Sequence, residues 1–164
     1  MKIKIKRNTL GDTRTAERVP TFSEFSNSNR NHVDDVFNMM DGIAEKIRLA
    51  GANHDWSKMR EPYKSLFYRD LCNVINQNMC WDDGEWGKFH YSNERHHLNR
   101  RCPDDVNLID VLEMICDCVC AGMARSGSVY PIEISSEILQ RAVSNTVEMC
   151  MNAVEVEEGD KDEK

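Results

Sequence analysis

The sequence has no long apolar run: nothing in it approaches the ~20 residues needed to span a bilayer. Its N-terminal stretch, MKIKIKRNTLGD, is charged but lacks the apolar segment of a secretion signal, so a cytoplasmic chain with no membrane partner is expected. No CxxC pair occurs, which counts against a zinc ribbon or finger. The seven cysteines are an odd number spread through a helical pattern, so a disulfide framework is not expected. Cys72, Cys116, Cys118, Cys120 and Cys150 read as reduced thiols in the core, with Cys80 and Cys102 in a loop. Internal repeats are absent. Excess positive charge is absent too: the net charge is −7, which argues against gripping duplex nucleic acid by its backbone. A small phosphorylated ligand is not excluded, because a bound cation can supply local positive charge.

With 164 residues, 40% hydrophobic and 30% charged, the chain suits one domain with a real core. Residues 1–25 read as a short irregular arm in which KIKIK alternates like a strand. Residues 26–153 read as one all-α helical domain, and 154–164 as an acidic, disordered tail. Helical spacing predicts a first helix from Ser28 to Ala50, with Val33, Val36, Phe37, Met40, Ile43, Ala44 and Ile47 facing inward and Gly51 closing it. A short second helix opens at HDWSK, with Asn53 as its cap. Pro62 suits the first turn of a third. Residues 80–103 predict a long loop, or a loop with one short helix, and carry three of the five histidines. A further helix spans Asp104 or Asp105 to Arg125. The last is capped by Ser135 or Ser136, and SVYPIEI is a second strand candidate.

Two stretches carry chemistry. In HDWSK, an imidazole and a carboxylate are adjacent metal-ligand types, and Lys58 lies one turn beyond His54. The same residues also make an ordinary polar helix start. In LIDVLEMICDCVCA, residues 108–121, eleven of fourteen residues are apolar, and the exceptions are Asp110, Glu113 and Asp117. At 100° per residue these three fall within about 60° of one another. Burying them unpaired would cost several kcal/mol each, so solvent, basic partners or a metal must compensate. Exposure suits Asp110, near the helix start, whereas Asp117 calls for a buried partner. His32 precedes Val33 near the start of the first helix.

The order His32, His54-Asp55, Asp117 resembles the HD superfamily of metal-dependent phosphohydrolases. HDWSK, HYSNERHH and NLIDVLEMICDC are closer still to an HD-like family of phages and bacteria with the patterns HDLSK, HHYxxNRHHP and NLIDLLEMLCDW. This resemblance covers about residues 28–150 and implies an HD-domain-like helical bundle. It also implies that His32, His54, Asp55 and Asp117 ligate one divalent ion (Mn, Fe, Ni, Co or Mg), with Asp110 the alternative for the last place. A second ion would use His90, His96, His97 and Asp110. The chain departs from the pattern at Phe89, where the first His-His pair is Phe89-His90, and at Leu98, which replaces a proline.

The activity so implied is hydrolysis of a phosphomonoester or phosphodiester, with a nucleotide or cyclic nucleotide as substrate. Asp55 would ligate and orient a water, and Lys58 would contact a phosphate oxygen. Arg95, Arg100 or Arg101 would clamp the substrate from the loop, and Glu113 would support a ligating histidine or act as general base. Trp56, Trp81, Trp86, Phe89 and Tyr91 are expected to pack the loop onto the helices, with base stacking as the rival role. Two other readings stand beside this one. The chain is then an inactive HD-like protein binding a nucleotide or partner, phage-encoded and acting in the host cytoplasm. Or it is a structural or partner-binding helical protein in which the His and Asp residues only make buried hydrogen bonds; a homo-oligomer is compatible with all three readings.

Overall fold

The computed structural model describes residues 2–77 and 79–158. It is all-α apart from one small sheet: β1 (Ile3–Lys6), α1 (Phe22–Asn53), α2 (Trp56–Met59), α3 (Tyr63–Gln77), α4 (Glu85–Asn93), α5 (Leu108–Ser126), α6 (Ser136–Ala153) and β2 (Val154–Glu157). A single 3-10 turn, Trp81–Asp83, precedes α4. None of the helices among the described residues is long and apolar enough to cross a membrane. The chain divides into two compact units, residues 1–46 with 147–164, and residues 47–146.

In the first unit the expected arm and tail meet. KIKIK forms β1, and residues 154–157, expected to be disordered, form β2 parallel to it, with Ile3 opposite Val154 and Lys6 opposite Glu157. Strand pairing satisfies backbone groups that a free tail would leave to water. Lys4 Nζ also reaches Glu157 Oε1 at 2.6 Å, so the tail's acidity is used against the arm's basicity. Residues 159–164 of the tail lie outside the described residues. α1 starts at Phe22 rather than Ser28 because Thr21 and Glu24 make a reciprocal cap. The Thr21 N–H donates to Glu24 Oε2 (2.7 Å), and the Glu24 N–H donates to Thr21 Oγ1 (3.3 Å). The helix runs through Gly51 to Asn53. Its period was read correctly, but Val33, Val36, Phe37 and Met40 are exposed rather than inward-facing. Periodicity specifies a helix and does not supply the element that would cover it.

The second unit holds the core that places the site. Leu98, Val106, Val111, Met114 and Ala142 are buried together, with Cys118, Ile134 and Ile138 packed on them. α5 begins at Leu108, later than expected, because Asn107 caps it: its side chain accepts the Ile109 N–H at 2.9 Å, while Asp110 accepts the Asn107 N–H at 2.9 Å. The helix ends at Gly127, whose φ of 72° is the left-handed geometry a side chain resists. Residues 128–135 form no strand. All seven cysteines are free. Cys116 and Cys120 are exposed, so α5 shows one face to solvent instead of being buried all round.

Candidate metal centre

The HD doublet is the break between two helices. α1 stops at Asn53, α2 starts at Trp56, and His54-Asp55 form the two-residue corner. Asp55, not Asn53, holds the cap position of α2, with φ 54° and ψ 33°. This left-handed geometry costs a β-carbon-bearing residue on the order of 1–2 kcal/mol, and aspartate is among the few that adopt it. Such strain concentrates where a side chain must be aimed. Asn53 instead closes α1, its side chain donating to the Leu49 carbonyl at 2.9 Å.

The 80–103 segment, a loop with one short helix as foreseen, brings the other imidazoles. Gly87 permits this, since a β-carbon there would lie 2.1 Å from the Trp81 carbonyl oxygen. Trp86 stacks on His90 with ring centres 4.3 Å apart. Trp56, Tyr63 and Phe89 pack on one another, with Tyr63 and Phe89 stacked at 4.1 Å, so these aromatics fasten the segment to α2 and α3.

Five of the expected ligand residues thereby face one corner with Asp117. Two groupings have their donor atoms within 4.8 Å of one another: Asp55, His90, His96 and His97; and His54, His96 and Asp117. His54 Nε2 lies 3.3 Å from Asp55 Oδ2 and 3.5 Å from Asp117 Oδ1. His90 Nε2 and His96 Nε2 lie 3.4 and 3.7 Å from Asp55 Oδ1. Ligand atoms each about 2.0–2.2 Å from one ion sit roughly 3–3.5 Å apart, so these spacings suit a shared cation. The fit has an independent sign. Asp55 Oδ1 and both ring nitrogens of His96 are buried without a hydrogen-bond partner; a cation ligated by Asp55 Oδ1 and His96 Nε2 would relieve two of these three atoms, His96 Nδ1 facing Glu113 instead.

Glu113 supports the corner from behind. Its Oε1 is 2.9 Å from His54 Nδ1 and 3.1 Å from His96 Nδ1, the latter not aligned as a hydrogen bond. A carboxylate behind an imidazole fixes the ring so that its other nitrogen faces the centre. Two further supports went unread in the sequence. Ser57, fully buried, has its Oγ 2.9 Å from His90 Nδ1, and its N–H donates to buried Glu94 at 3.1 Å. Both lie inside the quoted motifs, HDWSK and HYSNERHH, so proximity to the histidines was the signal available.

Hydrogen bonds to Asp117, Asp55 and Glu113 push the His54 pKa up to about 11. Burial works against Asp55 and Glu113, yet imidazole partners, and Lys58 at Asp55, hold both carboxyls well below their ordinary range. His54 does the same for Asp117. Burial, then the charge of a neighbouring imidazole, lowers His90 to about 3 and His97 to about 4. At neutral pH the corner thus presents anionic carboxylates and, at His90 and His97, neutral imidazoles, whereas His54 must give up a proton before it can ligate a divalent cation.

Several expected residues stand elsewhere. His32 is exposed on α1 in the first unit and belongs to neither grouping. Asp110 is buried, not exposed, and belongs to neither. Arg95 holds both its oxygens, Nε to Oδ1 at 2.7 Å and Nη2 to Oδ2 at 2.9 Å. That pair occupies Arg95, which also binds Asp105. Arg100 is paired with Asp82 at 2.7 Å, and Arg101 is exposed. Lys58 does reach the centre, donating to Asp55 Oδ2.

Fold and site together define an all-α protein with a partly buried His/Asp corner whose donor atoms could hold a metal ion. The chain belongs to a family of unknown function (DUF5662), which matches residues 21–156. No curated protein and no solved structure matches the chain.

Proposed function

We propose that this chain is a divalent-metal-dependent phosphohydrolase acting on a small phosphorylated substrate, with a nucleotide as the leading candidate. The observation that carries the reading is the convergence of His54, Asp55, His90, His96, His97 and Asp117, with Asp55 Oδ1 and both His96 nitrogens buried and unpartnered. A purely structural hydrogen-bond network would leave Asp55 Oδ1 and His96 Nε2, the two of these atoms that a cation could take, unsatisfied at about 1–3 kcal/mol each.

His54, Asp55, His96 and Asp117 would hold the ion, with His90 and His97 beside them for a wider or second position. Bound there, a divalent ion supplies Lewis acidity toward a phosphoryl oxygen and acidifies a water. Glu113 fixes the tautomer and tilt of His54 by accepting from its Nδ1, so that Nε2 is the nitrogen left for the ion. Ser57 and Glu94 do the equivalent for His90. Lys58 neutralises Asp55 and offers its remaining N–H groups to a phosphate oxygen.

Phosphate release from p-nitrophenyl phosphate and nucleoside monophosphates, and conversion of cyclic dinucleotides to linear products, both measured with added Mn2+, test the proposal. Turnover of at least one class, abolished by EDTA and by Asp55→Asn, is expected. A fully metal-loaded wild type that hydrolyses none of them contradicts hydrolysis and favours a binding protein.

A further inference from the structure

A chamber of about 440 Å3 opens on the His90 and His97 side of the corner. Its lining combines two chemistries. Lys58 and Arg125 are cationic, whereas Phe67, Trp81, Trp86 and Tyr91 are aromatic. His90, His97 and Asp117 reach it as well, so whatever sits there touches the corner.

Arg125 is the feature that the metal corner does not explain. It lies a little over two turns beyond Asp117 on α5, about 80° around the helix from it. Four other arginines of this unit are occupied: Arg69 by Glu85, Arg95 by Asp110, Arg100 by Asp82, Arg141 by Cys102 and the Pro103 carbonyl. The Arg125 guanidinium has no hydrogen bond or ion pair among the described residues, yet it lines a chamber. An arginine in the last turn of a helix also complements the helix dipole, and that role predicts an effect on stability alone. Arg125 is exposed, and its planar guanidinium lines the same cavity as the Lys58 ammonium, a pair of cations suited to a tetrahedral oxyanion. The aromatic lining adds a demand for a flat, apolar group, because bare phosphate leaves that surface wet. A volume of about 440 Å3 falls within the ~300–1,000 Å3 of small-molecule sites.

We infer that Arg125 and Lys58 form an anion subsite for a phosphate monoester whose aromatic ring packs against the Trp81 side of the chamber. This rests on the phosphohydrolase reading for the position of the ester beside the corner. Arg125 is a specificity-determining residue under this assignment, and Arg95 and Arg100 are not.

Calorimetric titration of the Mn2+-loaded full chain with adenosine monophosphate, phenyl phosphate, adenosine and inorganic phosphate, the two esters supplied as their non-hydrolysable phosphonate analogues, tests it. Both esters should bind at least about tenfold tighter than adenosine or phosphate, as expected when a charged contact and a ring contact act together. Arg125→Ala should weaken the esters by about tenfold or more while leaving adenosine affinity, Mn2+ content and melting temperature unchanged, and Arg125→Lys should recover part of the loss. Trp81→Leu should erase the advantage of the esters over phosphate. Ester affinity within about twofold of wild type in Arg125→Ala, where a charged contact of this kind is worth far more, overturns the subsite. Esters binding no tighter than inorganic phosphate, or not at all, overturn it equally. Arg125-dependent ester binding in a chain that takes up no Mn2+ would sustain the subsite and overturn only the metal-centred reading.

Discussion

His90 and His97 face each other, Nε2 to Nε2, at 2.7 Å. Two neutral imidazoles can approach so closely only if one donates a proton to the other, or if both lone pairs turn toward a cation. Burial holds both rings well below the ordinary histidine pKa, so a pair of imidazolium ions is excluded at neutral pH. The contact is therefore a metal-ready pair or a single N–H···N bond, and metal uptake separates the two. His97→Ala should lower Mn2+ or Co2+ affinity by roughly 10–100-fold, the range for loss of a supporting or ligating group, measured by competition with a chelating dye. Unchanged affinity would assign the pair to a hydrogen bond.

Glu113 should matter to the ion without touching it. Glu113→Gln keeps the size of the side chain and removes the charge behind His54 and His96. Metal affinity should fall about 10–100-fold, with the far-ultraviolet circular dichroism spectrum unchanged. Wild-type affinity in this variant would show that the imidazoles need no orienting partner.

Metal binding should tighten as pH rises. In the metal-free chain the pKa of His54 is raised to about 11, so its ring is protonated throughout the neutral range. An ion taking its Nε2 must displace that proton. The apparent Kd should therefore fall by about tenfold per pH unit between roughly pH 6 and pH 8, one proton being released per ion. Calorimetry in buffers of different ionisation enthalpy counts that proton. A Kd flat over this range would place His54 outside the ligand set.

Asp110 should be a stability residue alone. Asp110→Ala removes a helix cap and leaves Arg95 with Asp105 as its remaining partner. Arg95 is 41% exposed, so the cost should be about 2 kcal/mol, below the ~3–5 of a fully buried pair. That corresponds to roughly 4–8 °C of melting temperature for a chain of this size, with metal content unchanged. Loss of metal at preserved stability would restore Asp110 to the ligand set.

Local chemistry was legible in the sequence to the extent that it is local. HDWSK announced a His-Asp corner because the two residues are adjacent, and the stripe of Glu113 and Asp117 followed from helical period. The same period put Asp110 in the stripe but could not show that Arg95, fifteen residues away, would take both its oxygens. The helical class was readable throughout. His32 was placed by resemblance to a pattern and not by a contact, and the structure sets it in the first unit. TFSE at residues 21–24 carried the cap that moved the start of α1, a signal present and unread. Pairing of β1 with β2 joins residues some 150 positions apart, which no window along the chain can detect.

The account rests on a cation at the His54-Asp55 corner, and metal content measured by ICP-MS tests it most directly. Asp55→Asn is the matched variant, because asparagine also tolerates the left-handed backbone at that position and so removes a charge without forcing the corner to refold. After incubation with Mn2+ and desalting, wild type should retain about one divalent ion per chain or more, and Asp55→Asn should retain almost none at an unchanged circular dichroism spectrum. No ion in wild type after Mn2+, Fe2+, Co2+ and Ni2+ in turn, or equal retention in the variant, would contradict it.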